Sequence, residues 1–431
     1  MLQNSINNFE KFKSVIMRTS IIFLFLIFFI TIIPDTIGQA TVNKNGVKIG
    51  VSQGNITPDV PILMAGYSER TTPFTGVNDS LYAQVILFSD GKTKILIVTS
   101  DLIGYNFELV DDVKKMISSK IDIPVENIMI SAAHNHGGPE MRKGGPKALK
   151  ETNDYIQILK EKLTKLSFEA SMNLVPFKMG IATGVCKMNI NRRLEAPQGI
   201  TLGLNPDGPC DTDLGVAKFV DMNDKIIAVL INWPAHGTVS GKENYLITGD
   251  WPGAAARHIK QQSGQDIIVG VTAGASGDIA PLYGPASRLE KSELIGYQVA
   301  KQTWKAISDI APFPVETLQV LNEKLSLPGK KSGKAIVPSE TNSEIRLSVF
   351  KIGNLVLAGI SGEVMTEIGM QIKDLSPYSN THIVTHTNGS SGYICTDKAY
   401  PEGGYEVGAT RIMPGVEALV VKKVSEMINA F

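Results

Sequence analysis

The chain has 431 residues, 43% of them hydrophobic, which is material for one large core or two ordinary ones. Its 42 basic and 42 acidic side chains cancel, leaving no electrostatic footprint for nucleic acid. Three cysteines, an odd number, exclude a disulfide framework as the basis of stability.

In chain order the first feature is Lys11, Lys13 and Arg18 ahead of an apolar run at residues 20–33, with Gly38 and Ala40 beyond it. Charged, apolar and small segments in that order read as a secretory signal peptide, and the run is shorter than the roughly 20 residues that span a bilayer. Residues 1–39 are expected to be removed, and 40–431 to form a single catalytic domain. An uncleaved N-terminal anchor is the competing reading.

A hairpin is predicted over Leu81 to Phe88 and Lys94 to Ser100, turning at Ser89-Asp90-Gly91 and ending in Asp101. Leu109, Val113, Met116 and Ile117 then keep helical spacing. Next, the apolar run from Ile128 to Ala133 ends in His134-Asn135-His136-Gly137-Gly138-Pro139. Histidines two apart leave an extended backbone on one face, and the Gly-Gly-Pro break leaves them at a strand end, where pockets form. The chain has only six histidines, and two are here.

Cys186 and Cys210 flank Arg192 and could bridge in an oxidising compartment, although spacing alone does not fix their separation. From Arg193 to Leu214 the breakers Pro197, Gly199, Gly203, Pro206, Gly208 and Pro209 predict an irregular loop that shapes access to a site. The strand-then-histidine plan recurs where Lys225 to Ala235, entered through a turn at Asn223-Asp224, ends in His236-Gly237. A helix is expected from Asp250, an aspartate cap before Trp251-Pro252. Asn354 to Ile360 follows a turn at Gly353-Asn354 and delivers Glu363. Beyond lie Tyr393, Cys395 (read as a small buried hydrophobe) and a second expected access loop, Lys398 to Gly408, around Tyr405. The last helix runs through Val416, Val420, Val424 and Ile428, with Pro414 suited to its first turn.

A lone histidine or glutamate at a strand end usually caps the strand or satisfies a backbone group. Three such placements shift the balance, because two neutral imidazoles and a carboxylate are the set with which catalytic zinc keeps a coordination position open. Strands and helices interleave, so the expected fold class is α/β, with mixed sheets, antiparallel hairpins and the zinc site at strand ends. No internal repeat or low-complexity tract marks a second module.

Met64-Ala-Gly-Tyr67, Ile128 to His136, Ile190-Asn191-Arg192, Asn205 to Pro209, Asn232 to Thr238, Gly249-Asp250, Gly277-Asp278, Gly362-Glu363, Tyr393 and Tyr405-Glu406 follow one another as in the neutral, non-lysosomal ceramidases. From about Val47 to its C-terminus the chain resembles that family. The resemblance implies a zinc centre ligated by His134, His236, Glu363 and Tyr393, with His136, Arg192 and Tyr405 lining the reaction centre. It implies an enzyme that hydrolyses the N-acyl amide of ceramide (N-acylsphingosine) to sphingosine and fatty acid by zinc-activated water, which the N-terminal signal pattern would make secreted or periplasmic. In that reading Tyr393 ligates as a phenolate stabilised by the cation. Arg192 and Tyr405 hold the tetrahedral oxyanion, and His136 moves a proton toward the leaving amine. The partners implied are a small lipid-like N-acyl substrate and a peripheral membrane surface. The family's additional C-terminal β-domain has no counterpart before Phe431, so the catalytic domain alone is expected.

One departure stands out. Ala280, in Gly277-Asp278-Ile279-Ala280-Pro281, occupies the place of a family serine, which excludes a serine nucleophile there. Ser276 is not in a Gly-x-Ser-x-Gly elbow. Two alternatives stay open: a zinc hydrolase for another N-acylated lipid, amino compound or sugar, and a non-catalytic secreted binder.

Overall fold

An antiparallel hairpin, a helix, and a strand returning parallel to the hairpin's second strand recur three times along the chain. The first unit joins Tyr82–Ser89, Lys94–Ser100, the helix Phe107–Ile121 and Ile128–Ile130. The second joins Asp213–Val220, Ile226–Trp233, the helix Asp250–Ser263 and Ile268–Ala273. The third joins Ser343–Ile352, Leu355–Ile360, the helix Thr366–Leu375 and Thr381–Val384. A parallel return needs a crossover, and a helix packed back on the sheet supplies it. Lys48–Asn55 and Val175–Pro176 widen the first sheet, Lys178–Val185 and Phe313–Pro314 the second, and Leu318–Leu327 the third.

Side-chain alternation gives each sheet an inner and an outer face. Ile86, Phe88 and Ile97 from the first sheet, Phe219 and Leu230 from the second, and Phe350 and Leu357 from the third meet in one buried cluster. Phe88 and Phe219 lie 5.4 Å apart there, and burying each such ring stabilises the fold by about 1.5–3 kcal/mol. The outer faces carry helices. Val113 and Ile117, with Leu159 and Leu163 of Lys150–Met172, cover the first sheet. Ala255 and Ile259, with Ile295 and Val299 of Leu289–Ile307, cover the second. Ile368 and Ile372, with Val420 and Val424 of Val416–Asn429, cover the third.

The computed structural model describes residues 46–141, 150–284 and 288–431, which belong to one unit, Asn45–Phe431. The expected signal peptide at 1–39 lies outside them. Among the described residues no helix is long and apolar enough to cross a membrane.

Some local expectations are corrected. The loop expected from Arg193 to Leu214 is largely a β-hairpin, Asn189–Ala196 with Gly199–Asn205. Most of its breakers mark ends: Gly199 takes φ 102° in the turn after Pro197, and Pro206, Gly208 and Pro209 lie beyond the second strand, while Gly203 sits within it. The segment around Tyr405 forms two short helices, Ala399–Glu402 and Tyr405–Ala409, parted by Gly403 and Gly404 at φ 72° and 93°. The last helix begins after Pro414, with Gly415 as its N-cap. Asp250 opens its helix but does not cap it in the expected way; its carboxylate accepts from Trp251 N–H at 2.6 Å and Ser240 N–H at 2.7 Å. Cys186, Cys210 and Cys395 are free thiols, and Cys395 is buried among hydrophobic residues.

Candidate metal centre

The first unit's parallel strand runs on into His134, where the chain turns through left-handed backbone at φ 58°, a region histidine enters more readily than most side chains. A parallel bridge joins Asn135 to Gly237. His136 N–H donates to Gly237 O at 2.8 Å and Gly237 N–H to His134 O at 3.1 Å, so the two histidine segments run side by side. Glycine is required at 237, since a Cβ there would sit 2.8 Å from Asn135 Cα. The buried Asn135 amide ties the turn down, donating to Asp101 O at 3.0 Å and Thr248 O at 2.7 Å and accepting from Gly137 N–H at 2.7 Å. Glu363 and Tyr393 are register partners in the two-stranded parallel sheet Glu363–Val364 and Tyr393–Ile394. Carboxylate and phenol therefore leave neighbouring strands on the same side.

Glu363 Oε2 lies 3.4 Å from His134 Nε2 and 3.3 Å from His236 Nε2. His136 Nε2 is 3.3 Å from His134 Nε2, and ligand nitrogens of His134, His136 and His236 all fall within 4.8 Å of one another. His134 Nδ1 donates to Ile103 O at 2.8 Å and His236 Nδ1 to Ile279 O at 3.0 Å. A carbonyl only accepts, so both rings carry a proton on Nδ1, which leaves Nε2 as the atom that can face a metal. The Glu363 carboxylate oxygen thus faces Nε2 of each imidazole at 3.3–3.4 Å, close to the edge of a tetrahedron whose bonds are about 2.0–2.1 Å. Acceptors so placed repel unless a cation joins them, and nitrogen with carboxylate oxygen is a donor set that suits a divalent transition metal.

The protonation states agree with that use. Burial, then Arg192, lowers His236 to about 3, and burial with the neighbouring His134 and His236 holds His136 well below its ordinary value. Burial acts to raise Glu363, but His134 and His236 outweigh it and hold the carboxyl well below the usual range. Neutral nitrogens and an ionised carboxylate are what metal ligation requires. Burial and Glu363 push the Tyr393 phenol well above its ordinary value, so only a cation would ionise it.

Arg192 is not the surface cation that its neighbour Arg193 suggests. Its Nη1 lies 3.0 Å from His236 Nε2, Nη2 donates to Tyr393 Oη at 3.0 Å and Gly277 O at 2.8 Å, and Nε donates to Glu406 Oε1 at 2.8 Å. Tyr405 is half exposed, its ring 5.8 Å from that of Tyr393 and 5.7 Å from the Arg192 guanidinium. His136 differs from the other two histidines. Its Nδ1 has no hydrogen-bond partner among the described residues, whereas ligating histidines almost always donate their other N–H.

Several residues that shape the centre carry no role in the sequence reading. Glu406, fully buried, accepts from Arg192 and also from Arg193 Nη1 at 2.9 Å; the Tyr405-Glu406 motif was the available signal. Asp278, pushed up to about 6 by burial, accepts from Thr366 N–H at 2.8 Å and Asn191 Nδ2 at 3.1 Å. His386 stacks on His134, and nothing in Val-Thr-His-Thr announces it. Ser276 is buried with its hydroxyl unpartnered among the described residues, so no base is placed to activate it as a nucleophile.

A family model for the N-terminal region of neutral/alkaline non-lysosomal ceramidases matches residues 47–294, more than half of the chain. The chain belongs to this ceramidase family. Neutral ceramidases of Drosophila pseudoobscura pseudoobscura and Drosophila melanogaster are each 25% identical to it, over 272 and 270 residues. Each alignment takes in 57% of this chain and 38% of the fly ceramidase, so the match spans well under half of either relative. Two solved structures share the fold: neutral ceramidase from Pseudomonas aeruginosa and a ceramidase complexed with C2, both at TM-score 0.75 and 17% identity. They align with 89% of this chain and with 74% and 75% of their own. The ceramidase family model ends before Glu363, Tyr393 and Tyr405, whose place in the centre rests on the distances above.

Proposed function

We propose that this chain is a secreted zinc-dependent amidohydrolase that cleaves the N-acyl amide of ceramide to sphingosine and a fatty acid. Membership of the ceramidase family supports the reaction class. The observation that carries the metal is the approach of Glu363 Oε2 to both His134 Nε2, at 3.4 Å, and His236 Nε2, at 3.3 Å. His134, His236, Glu363 and Tyr393 would hold the ion, and zinc bound there would supply Lewis acidity and lower the pKa of water to about 7. Arg192, permanently charged and anchored on Glu406, would receive the negative charge that develops on the amide oxygen. Tyr405, half exposed beside it, offers a second donor. His136, neutral and with Nδ1 unpartnered among the described residues, is free to take up a proton and pass it to the leaving nitrogen. Secretion rests on the charge and hydropathy pattern of residues 1–39.

Ala280 bears on the substrate. Fatty-acid release is to be measured on N-acylsphingosine, an N-acyl amino acid and an N-acyl sugar, with wild type and A280S side by side. N-acylsphingosine should be cleaved fastest. A280S should leave turnover unchanged or raise it, by at most the roughly 10²–10³-fold that one added transition-state donor supplies. Preference for another acyl amide would redirect the substrate and keep the hydrolase. Zinc-loaded protein that cleaves none of the three would instead be a binder.

A further inference from the structure

Thr385-His386-Thr387-Asn388 follows the parallel strand of the third unit much as His134 follows that of the first, and both histidines adopt left-handed backbone, φ 53° and 58°. This short segment is tied to the regions that carry His134, His236 and Glu363. Asn388 N–H donates to Ile130 O at 2.8 Å and Ile130 N–H donates to Asn388 Oδ1 at 3.0 Å, which laces it to the strand before His134. Thr385 N–H donates to Ala273 O at 3.0 Å and its hydroxyl to Gly274 O at 2.9 Å, on the strand paired with the one before His236. His386 N–H donates to the carbonyl of Gly362, next to Glu363, at 3.3 Å. The His386 ring lies face to face with that of His134, centroids 3.8 Å apart and planes 13° from parallel. His386 is 5% exposed, and its Nε2 has no hydrogen-bond partner among the described residues.

A buried nitrogen left unpaired and a left-handed backbone are both unfavourable, and such features persist where the surroundings demand that residue. What the side chain does supply is a ring face. Ile103 O meets His134 at Nδ1, and His136 and Glu363 meet it at Nε2, contacts at the ring's edge that leave its tilt to be set by whatever packs on its face. We propose that His386 is a positioning residue of the metal centre: its ring sets the plane of His134 and its amide anchors Gly362, so that His134 Nε2 and Glu363 Oε2 keep their 3.4 Å separation before metal arrives. The inference rests on the metal reading of the site. Holding ligands in their bound arrangement raises affinity by removing the ordering that binding would otherwise require.

The test measures the zinc affinity of the full chain by competition with a chromophoric chelator, for wild type, H386N and H386F, together with kcat and KM on ceramide. Asparagine accepts left-handed backbone, so H386N removes the ring and leaves the main chain undisturbed; H386F keeps an aromatic face. H386N should bind zinc about 10–100-fold more weakly, the usual effect of losing a partner that supports a ligand. Its kcat should fall with little change in KM, and the visible spectrum of its cobalt form should shift. H386F should stay near wild type in all three. A folded H386N with wild-type zinc affinity overturns the proposal, as does a folded H386F that loses zinc. If H386N does not fold, H386F decides alone, retention supporting the proposal and loss overturning it. Wild-type protein that takes up no zinc contradicts the metal centre itself, and that result is read from the wild-type arm without either variant.

Discussion

E363Q should fold normally and lose its metal. Glutamine keeps the shape of the side chain and one acceptor oxygen, but it removes the negative charge that Glu363 brings between the two imidazoles. No other carboxylate is hydrogen-bonded to either ring among the described residues, and Tyr393 stays protonated until a cation draws its proton off. The backbone of Glu363 is independent of the substitution, since its N–H donates to Gly392 O at 2.9 Å in the sheet with Tyr393. Zinc affinity should therefore fall by more than the roughly 10–100-fold that follows loss of a supporting partner, and ceramide hydrolysis should drop to background. Metal analysis after dialysis and a circular dichroism spectrum check both halves. E363Q carrying a full complement of zinc and turning over normally would remove Glu363 from the ligand set.

The second large effect is expected at Arg192. The guanidinium reaches Glu406, Gly277 O, Tyr393 Oη and His236 Nε2 at 2.8–3.0 Å. A lysine ammonium carries the same charge but not this planar fork. R192K should keep its zinc, because none of the candidate ligands is altered, and should lose about 2.7–4 kcal/mol of transition-state stabilisation, or roughly 10²–10³ in kcat. KM should change little, since the oxyanion is absent from the ground state. Glu406 retains Arg193 as a partner at 2.9 Å in the variant, which protects the fold. Wild-type kcat in zinc-loaded R192K would make Arg192 a structural partner of Glu406 and nothing more.

What the sequence shows and what it hides have separate physical causes. His134, His236 and Glu363 stand out because each follows an apolar run with a glycine within three residues, a local pattern that survives translation into strand ends. Tyr393 has no such run; its strand is two residues long, and only the resemblance to a family points to it. The threefold hairpin, helix and strand order escapes a search for sequence repeats because topology recurs while residues do not, and residues 234–249 lengthen the connection in the second unit. Nothing local marks Arg192 and Arg193 as buried, since Glu406, the partner that both meet, comes more than two hundred residues later. The breaker-rich stretch after them reads as loop because prolines and glycines are counted without knowing that most of them fall at the ends of a hairpin and that Gly203 sits within its second strand. His386 is the extreme case: its importance lies wholly in a ring contact made across the fold.

Metal content of the purified chain, followed together with ceramide hydrolysis before and after chelation, tests the zinc centre most directly. One zinc per chain is predicted, with hydrolysis lost on chelation and regained when zinc is returned. A chain that carries no metal, or one that cleaves ceramide at an undiminished rate after the ion is stripped, would contradict it.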